Sequence, residues 1–448
     1  MKESMRNLSK SSDRRSPDQG AKRRRGLRGK GFTLVELIVA LAVVTIILTG
    51  VMAAFVFNAR MARAQLHLSG MQQSLRFAQY ELVRSVRMAG RGGLPTSQFP
   101  ALPAFAGQVL PTGPAVSVTN NVASGVQIAG CNCANVIEGT DILTVRGVFS
   151  SPIYQLNPAS GEFQYDPTSG TGTVTVRSKS PTGVPQDLSA FEDRITDGVA
   201  ESVLLVSPLA DSIYAIVEMQ PGGSSATQVA GVTEFVTLSF TTQGGNTAEY
   251  LALSPGGVYP PELTTVAYVG ILEELQFYVR EERAIPGDPT SELAPRLSRA
   301  QVFPGTTVAY DNDTANLTGD LTDNILDLQV AIGVDTVPGI GPADGVVTEG
   351  DGVDTTPTDS DEWLFNHPGD DPAEAKWANT LANPSKLFYL RINTLARTDR
   401  PDTRYQAPPL ALIEDKDYSS APFDVYNTRD ERMYRRRNIQ TVVDLRNI

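Results

Sequence analysis

Glu36 is the one charged side chain in the 26-residue run from Phe32 to Phe57, FTLVELIVALAVVTIILTGVMAAFVF. A carboxylate inside a bilayer costs about 2.5–3.5 kcal/mol at mid-span, so an acid kept there reads as functional. The chemistry open to it is charge pairing, because an isolated charge in apolar surroundings demands a cation or hydrogen-bond donors. Its place in a first helical turn also suits an anion, since the macrodipole is positive there.

Other ligating side chains carry less chemistry. Cys131 and Cys133 form a C-x-C pair, for which a strained intramolecular disulfide, two free thiols and intermolecular bonds all stay open. The two histidines, His67 and His367, read as structural. Asp311-Asn312-Asp313 and the acidic loop from Asp344 to Asp361 hold oxygens of the kind calcium prefers. They lack the D-x-[DN]-x-[DN]-G pattern and read as solvated loop charge. Arg435-Arg436-Arg437, with Arg429 and Arg432, is the basic run of the C-terminal part and reads as a solvated strand edge. No G-x-S-x-G, P-loop or nucleotide fingerprint stands out, so no catalytic residue, metal or cofactor is expected.

The elements that must position Glu36 are legible in the pattern. A spanning helix needs roughly 20 apolar residues, which the run exceeds. Thr33, Thr45 and Thr49 can bond back to helix carbonyls, and Gly50 weakens the helix without breaking it. Residues 1–31 hold eleven Lys/Arg against three acids, a net of +8, which leaves −20 for the rest of a chain whose total is −12. The basic flank predicts a cytoplasmic N-terminus, and the acidic remainder argues against a nucleic-acid partner. After the span, Ala64, Leu68, Met71, Leu75, Ala78, Leu82 and Val86 follow helical spacing, with Gln65, Gln72, Gln73, Arg76, Gln79 and Arg84 largely off the stripe. The helix should stop at Ala89-Gly90-Arg91-Gly92-Gly93-Leu94-Pro95.

Beyond it, strands are expected at Ile142–Val148, Val203–Val206, Ile213–Met219 and Phe235–Thr241. Leu326, Leu328, Val330, Ile332 and Val334 alternate with polar or small residues. So do Phe388, Leu390 and Ile392, and then Ile439, Thr441, Val443 and Leu445. Alternation predicts one buried and one exposed face, as in antiparallel sheets. Residues 94–130, 149–190, 281–299 and 335–362 read as long Gly/Pro/Asp loops. The expected fold class is α+β, a long N-terminal spine helix with a transmembrane first half, packed on a large antiparallel-β globular head.

Gly31-Phe32-Thr33-Leu34-Val35-Glu36, within KGFTLVELIVALAVV, resembles the type III signal of type IV prepilins. The resemblance implies that a membrane aspartyl prepilin peptidase cuts between Gly31 and Phe32 and methylates the new N-terminal Phe32. Glu36 would then be fifth in the mature chain and would neutralise the N-terminal amine of a neighbouring subunit. It divides the chain into a basic leader (1–31), a spine helix (32–90, with 32–57 transmembrane and 58–88 amphipathic) and a β-rich periplasmic or extracellular head (91–448). A plain signal anchor does not account for Glu36. A secretory signal cut at Ala62-Arg63-Ala64 would need a far shorter apolar region, about 7–15 residues.

Glu138 to Arg146, Asp323 to Thr336, Leu390 to Thr398 and Tyr434 to Asn447 resemble blocks of the PilW-type minor pilins. This implies a minor pilin acting in pilus assembly or initiation, with roles in adhesion or twitching motility. Its partners would be the prepilin peptidase, major and other minor pilins and the inner-membrane assembly platform. It would pass from a single-pass inner-membrane form to the pilus and cell surface. A minor pseudopilin of a type II secretion system and an unprocessed membrane-anchored surface binding protein are the alternatives.

Overall fold

The computed structural model describes residues 32–94, 115–123, 136–158, 160–198, 201–208, 213–242, 259–260, 263–283, 288, 290–302, 318–334, 346–349, 362–370 and 388–445. Helix α1 runs from Leu34 to Arg87. The chain divides into two compact units, residues 1–62 and 63–448.

In the first unit, the described residues form an α-helix whose apolar side chains are uncovered on every side. Its most apolar stretch has a mean hydropathy of 2.7, long and apolar enough to cross a membrane. A helix apolar all round must be covered by lipid or by other helices, since its backbone is satisfied internally but its side chains are not soluble. Thr45 and Thr49 donate their hydroxyls to the carbonyls of Leu41 and Thr45, at 2.7 and 2.8 Å, as expected. Thr33 does something else, described below.

In the second unit, the rest of α1 buries Met71, Leu75, Ala78, Leu82 and Val86, the stripe expected from spacing. Gln79 departs from the sequence reading. It is buried, 8% exposed, and donates to the Thr394 hydroxyl at 2.7 Å and to the Ile439 carbonyl at 3.2 Å. Glu81 and Ser85 are buried with it.

The helix ends where Gly90, Gly92 and Gly93 all take positive φ. A Cβ on Gly92 would sit 2.7 Å from Val148 Cγ2, and one on Gly93 2.9 Å from Val206 Cγ1, so side chains are excluded from this turn twice over. The turn is stitched to the head by Gly90 N–H to the Arg146 carbonyl and Val148 N–H to the Arg91 carbonyl.

Four sheets make the head, and every strand pairing among the described residues is antiparallel. The first has five strands in the order β1 (Val116–Thr119), β2 (Ile142–Gly147), β11 (Glu273–Arg283), β12 (Leu293–Val302) and β13 (Thr318–Asp323). The second runs β3 (Tyr154–Gln155), β10 (Tyr268–Ile271), β6 (Ser202–Val206), β7 (Tyr214–Met219), β9 (Val232–Thr241), β5 (Thr171–Arg177) and β4 (Phe163–Asp166), with β8 (Ser225–Val229) also paired to β9. The third, which carries the Gln79 contact, is β15 (Trp363–Leu364), β14 (Ile325–Val334), β16 (Phe388–Arg397) and β19 (Arg436–Asp444). β17 (Leu412–Ile413) and β18 (Lys416–Asp417) form a small ribbon.

The main core joins the α1 stripe to Leu143 and Val145, Phe277 and Val279, Leu328, Val330 and Ile332, Leu390 and Ile392, and Val443. Each such side chain contributes about 1.5–3 kcal/mol on burial. A second core lies on the far side of the second sheet. Leu204 and Val206 face the first core, whereas Val203 and Leu205 face the second, under Phe191 of α2 (Ser189–Asp197). Burial on both faces explains why the β6 sequence is a continuous apolar run rather than an alternation.

Several expectations are corrected. The segments 149–190 and 281–299 are not loops throughout, since they hold β3, β4, β5, the start of α2 and parts of β11 and β12. The segment 94–130 contains β1. Leu326 does not share a face with Leu328, because a bulge between Ile325 and Asp327 shifts the alternation. Ile325 joins the main core and Leu326 packs with Leu395 and Tyr418. The second faces of β14 and β16 are not exposed either. Asp327, Gln329, Arg391 and Asn393 are all buried there, for a reason visible in their partners.

Candidate functional site

The site starts at Thr33, which lies just before the first turn of α1. Glu36 Oε2 accepts the Thr33 backbone N–H at 3.0 Å and the Thr33 hydroxyl at 3.1 Å. The Glu36 backbone N–H donates in turn to Thr33 Oγ1 at 3.3 Å. This reciprocal pair is a capping box, in which two donors left over at a helix start are satisfied by side chains. Sequence reasoning placed Glu36 in the first turn but gave Thr33 the wrong role. The signal was present, a Thr followed three residues later by Glu ahead of an apolar run.

Phe32 is 86% exposed at the head of this turn, with Leu34, Val35, Leu37 and Ile38 exposed behind it. Glu36 thus combines a cap made with Thr33 of its own helix start and a second carboxylate oxygen outside that cap, on a helix with no covering of its own. That arrangement can hold a cation brought by a neighbour. Gly31 lies outside the described residues, as do Cys131 and Cys133, and Asp311-Asn312-Asp313.

The remaining candidates serve the head. His67 Nδ1 lies 2.5 Å from Asp399 Oδ1, linking α1 to the turn after β16. The His367 backbone N–H donates to Asp370 Oδ2 at 3.1 Å. The arginine run is less solvated than its sequence suggests. Arg435 pairs with Asp402 at 3.1 Å and stacks on Tyr405, and Arg436 donates to the carbonyls of Tyr426 and Glu431. Arg437 alone of the three is exposed. From the acidic loop, Glu349 pairs with Arg391 at 2.9 Å, so at least this charge is engaged rather than solvated.

A buried polar cluster went unforeseen, since nothing in the local pattern marks it. Lys416, fully buried, pairs with Asp327 at 3.2 Å and sits over the rings of Tyr418, Phe423 and Tyr426. Tyr418 donates to the other oxygen of Asp327. Arg391 makes two bonds to Glu414, at 2.8 and 2.6 Å, and lies on Trp363. These contacts come from the segment that precedes β19, which covers the second faces of β14 and β16.

Asp141 accepts the backbone N–H groups of Asn121 and Val330, at 2.8 and 2.7 Å. Burial first, and then the Asp415 charge, pushes its carboxyl well above the usual carboxylate range. Asp415, held by the side-chain amides of Asn120 and Asn121, is pushed up to about 7, chiefly by burial. Among the described residues, no group of three or more His, Cys, Asp or Glu is placed to hold a metal ion.

Comparison with known proteins places one signature on this chain. Residues 27–52 match the family described as Prokaryotic N-terminal methylation motif. No curated protein and no solved structure matches the chain. The motif makes the N-terminal segment pilin-like or pseudopilin-like, that of a structural subunit held to a membrane by its apolar helix. It implies processing by a prepilin peptidase and association with pilins.

Proposed function

We propose that this protein is a minor pilin of a type IV pilus, acting in pilus assembly or initiation. In this reading, residues 1–31 are a cytoplasmic leader removed by cleavage between Gly31 and Phe32, and Phe32 is methylated. Residues 32–57 then span the inner membrane, and 91–448 form the periplasmic head. The subunit leaves the bilayer by packing its uncovered helix among those of major and other minor pilins, with Glu36 facing a neighbour's N-terminal amine.

The observation that carries the reading is the motif over residues 27–52 with Glu36 in the first turn of an uncovered apolar helix. In bilayer or filament core, that carboxylate needs a positive partner. The first unit supplies hydrogen bonds from Thr33, and an ammonium formed by proteolysis supplies charge. The head blocks that resemble PilW-type minor pilins favour a pilus over a type II secretion pseudopilus.

Shearing surface filaments from cells that express the chain tests this. The head should be detected in the sheared fraction and should depend on prepilin peptidase to reach it. A chain confined to the inner membrane in cells that assemble filaments rejects the proposal.

A further inference from the structure

We infer that a groove between α1 and the outer edge of β19 docks an extended, acidic segment of a neighbouring subunit as an added strand. The neighbour's identity as a filament subunit rests on the proposed function; the groove's chemistry does not.

The groove encloses about 610 Å³ and is lined by Arg76, Tyr80, Val83 and Arg87 of α1 and by Ile439 and Thr441 of β19. The four helix positions step by 4, 3 and 4, so they form one face, beside the stripe buried in the core. Tyr80 is 62% exposed, a large ring mostly uncovered. The helix therefore has a second, partly apolar face, on which Val83 is half-buried against the main core and Arg76, Tyr80 and Arg87 are exposed.

The strand beside it is also open. β19 pairs with β16 over its whole length in unbroken register, from Arg397 with Arg436 to Tyr389 with Asp444. Among the described residues no strand pairs with its other side. A long regular edge is a template for another strand, and proteins blunt such edges with proline, bulges or charge. β19 has no proline and no bulge, and its two arginines sit at its first turn-proximal residues, Arg436 and Arg437. From Asn438 to Val443 no charge, proline or bulge interrupts the strand, and among the described residues α1 touches its main chain through Gln79 at the Ile439 carbonyl.

Charge decides the kind of strand. Arg76 and Arg87 are exposed, and among the described residues neither has a carboxylate within ion-pairing distance, while Arg84 reaches Glu81 only at 3.8 Å. Arginines on the neighbouring strand β16 are engaged instead, Arg391 by Glu414 and Arg397 by Glu431. Guanidiniums left open along a groove select carboxylates, which they bind in forked geometry. In strand addition, main-chain bonds supply affinity and side chains supply selection. The complement is an extended segment with apolar side chains for Tyr80 and Val83 and acids for the arginines.

The test titrates the full-length protein in detergent micelles with fluorescent peptides matched in length to β19. One carries Glu, Val, Val and Glu at alternate positions, so that acids and apolar side chains share one face with Thr between them, one has Lys in place of each Glu, and one is the Glu peptide with a central proline. The Glu peptide should bind at least about tenfold more tightly than either of the others, a difference of about 1.4 kcal/mol. It should slow amide exchange at residues 438–442. Joint Arg76→Glu and Arg87→Glu replacement, both exposed and so neutral to folding, should weaken binding by a similar factor.

No binding of the Glu peptide, equal binding of the proline peptide, or indifference to the arginine reversals overturns the inference. The N-terminal mass of the same protein, purified from its own host, keeps the two claims apart. A correctly processed chain that fails to bind removes the groove alone. An unprocessed chain that binds leaves the groove standing and removes the pilin reading.

Discussion

Glu36 is bonded through one carboxylate oxygen to both the backbone N–H and the hydroxyl of Thr33, at 3.0 and 3.1 Å. The acid closes its own helix start, and in the proposed function its charge is kept for a partner, so that two roles meet in one side chain. Alanine at position 36 removes both, so it cannot tell them apart, whereas glutamine keeps an oxygen acceptor for Thr33 and removes only the charge.

Glu36→Gln should accordingly be cut after Gly31 as efficiently as the native chain and yet fail to enter filaments. Removing one partner of a buried ion pair costs about 3–5 kcal/mol, more than enough to lower incorporation beyond about tenfold. Thr33→Ala should show the opposite pattern, a weaker helix start worth about 0.5–2 kcal/mol with incorporation largely kept. Immunoblots of sheared and membrane fractions measure both. Normal incorporation of Glu36→Gln would leave Glu36 as a capping residue only.

Gln79 fastens the helix to the third sheet through Thr394 and the Ile439 carbonyl. Gln79→Ala leaves that hydroxyl and carbonyl without their donor, at a cost of about 1–3 kcal/mol. Amide exchange in residues 71–86 should accelerate, with exchange in β6 and β7 unchanged. Uniform acceleration across the head would show that Gln79 contributes to global stability rather than to the seating of the helix.

Much of this architecture is readable from local pattern. The apolar run, the Met71–Val86 stripe and the glycine-rich stop fix α1, because each depends on near neighbours alone. β6, β7 and β9 show in their β-branched residues. Other parts depend on contacts far along the chain. Asp327 and Arg391 read as outward-facing until Lys416, Tyr418 and Glu414 cover them. The polar character of Gln79 hides its burial, since its partners lie on strands more than 300 residues later. The bulge at Ile325 reverses an alternation that sequence alone shows as continuous. At the candidate site the capping box was legible as T-x-x-E.

The acid pair beside β14 sets a pH dependence. Burial chiefly, and then the charges of Asp370 and Asp327, raise Asp415 from its ordinary value to about 7 in the folded head, with Asn120 and Asn121 donating to it. A raised carboxyl makes the folded state hold the proton more tightly than the unfolded one. That contribution is fully present below about pH 4 and is lost as pH rises towards 7. Asp415→Asn, which cannot ionise, should thus gain thermal stability relative to the native chain between pH 4 and 8, by a few degrees. Melting curves across that range provide the check, and a constant offset between the two proteins would mean that Asp415 ionises as freely in the fold as outside it.

The central claim is that proteolysis creates the cation Glu36 awaits. Mass spectrometry of the N-terminal peptide, from chain recovered from the membranes and filaments of its host, tests it most directly. The account requires a peptide that begins at Phe32 with a methylated amine. A peptide that carries Lys30 and Gly31 ahead of Phe32 in every fraction would contradict it.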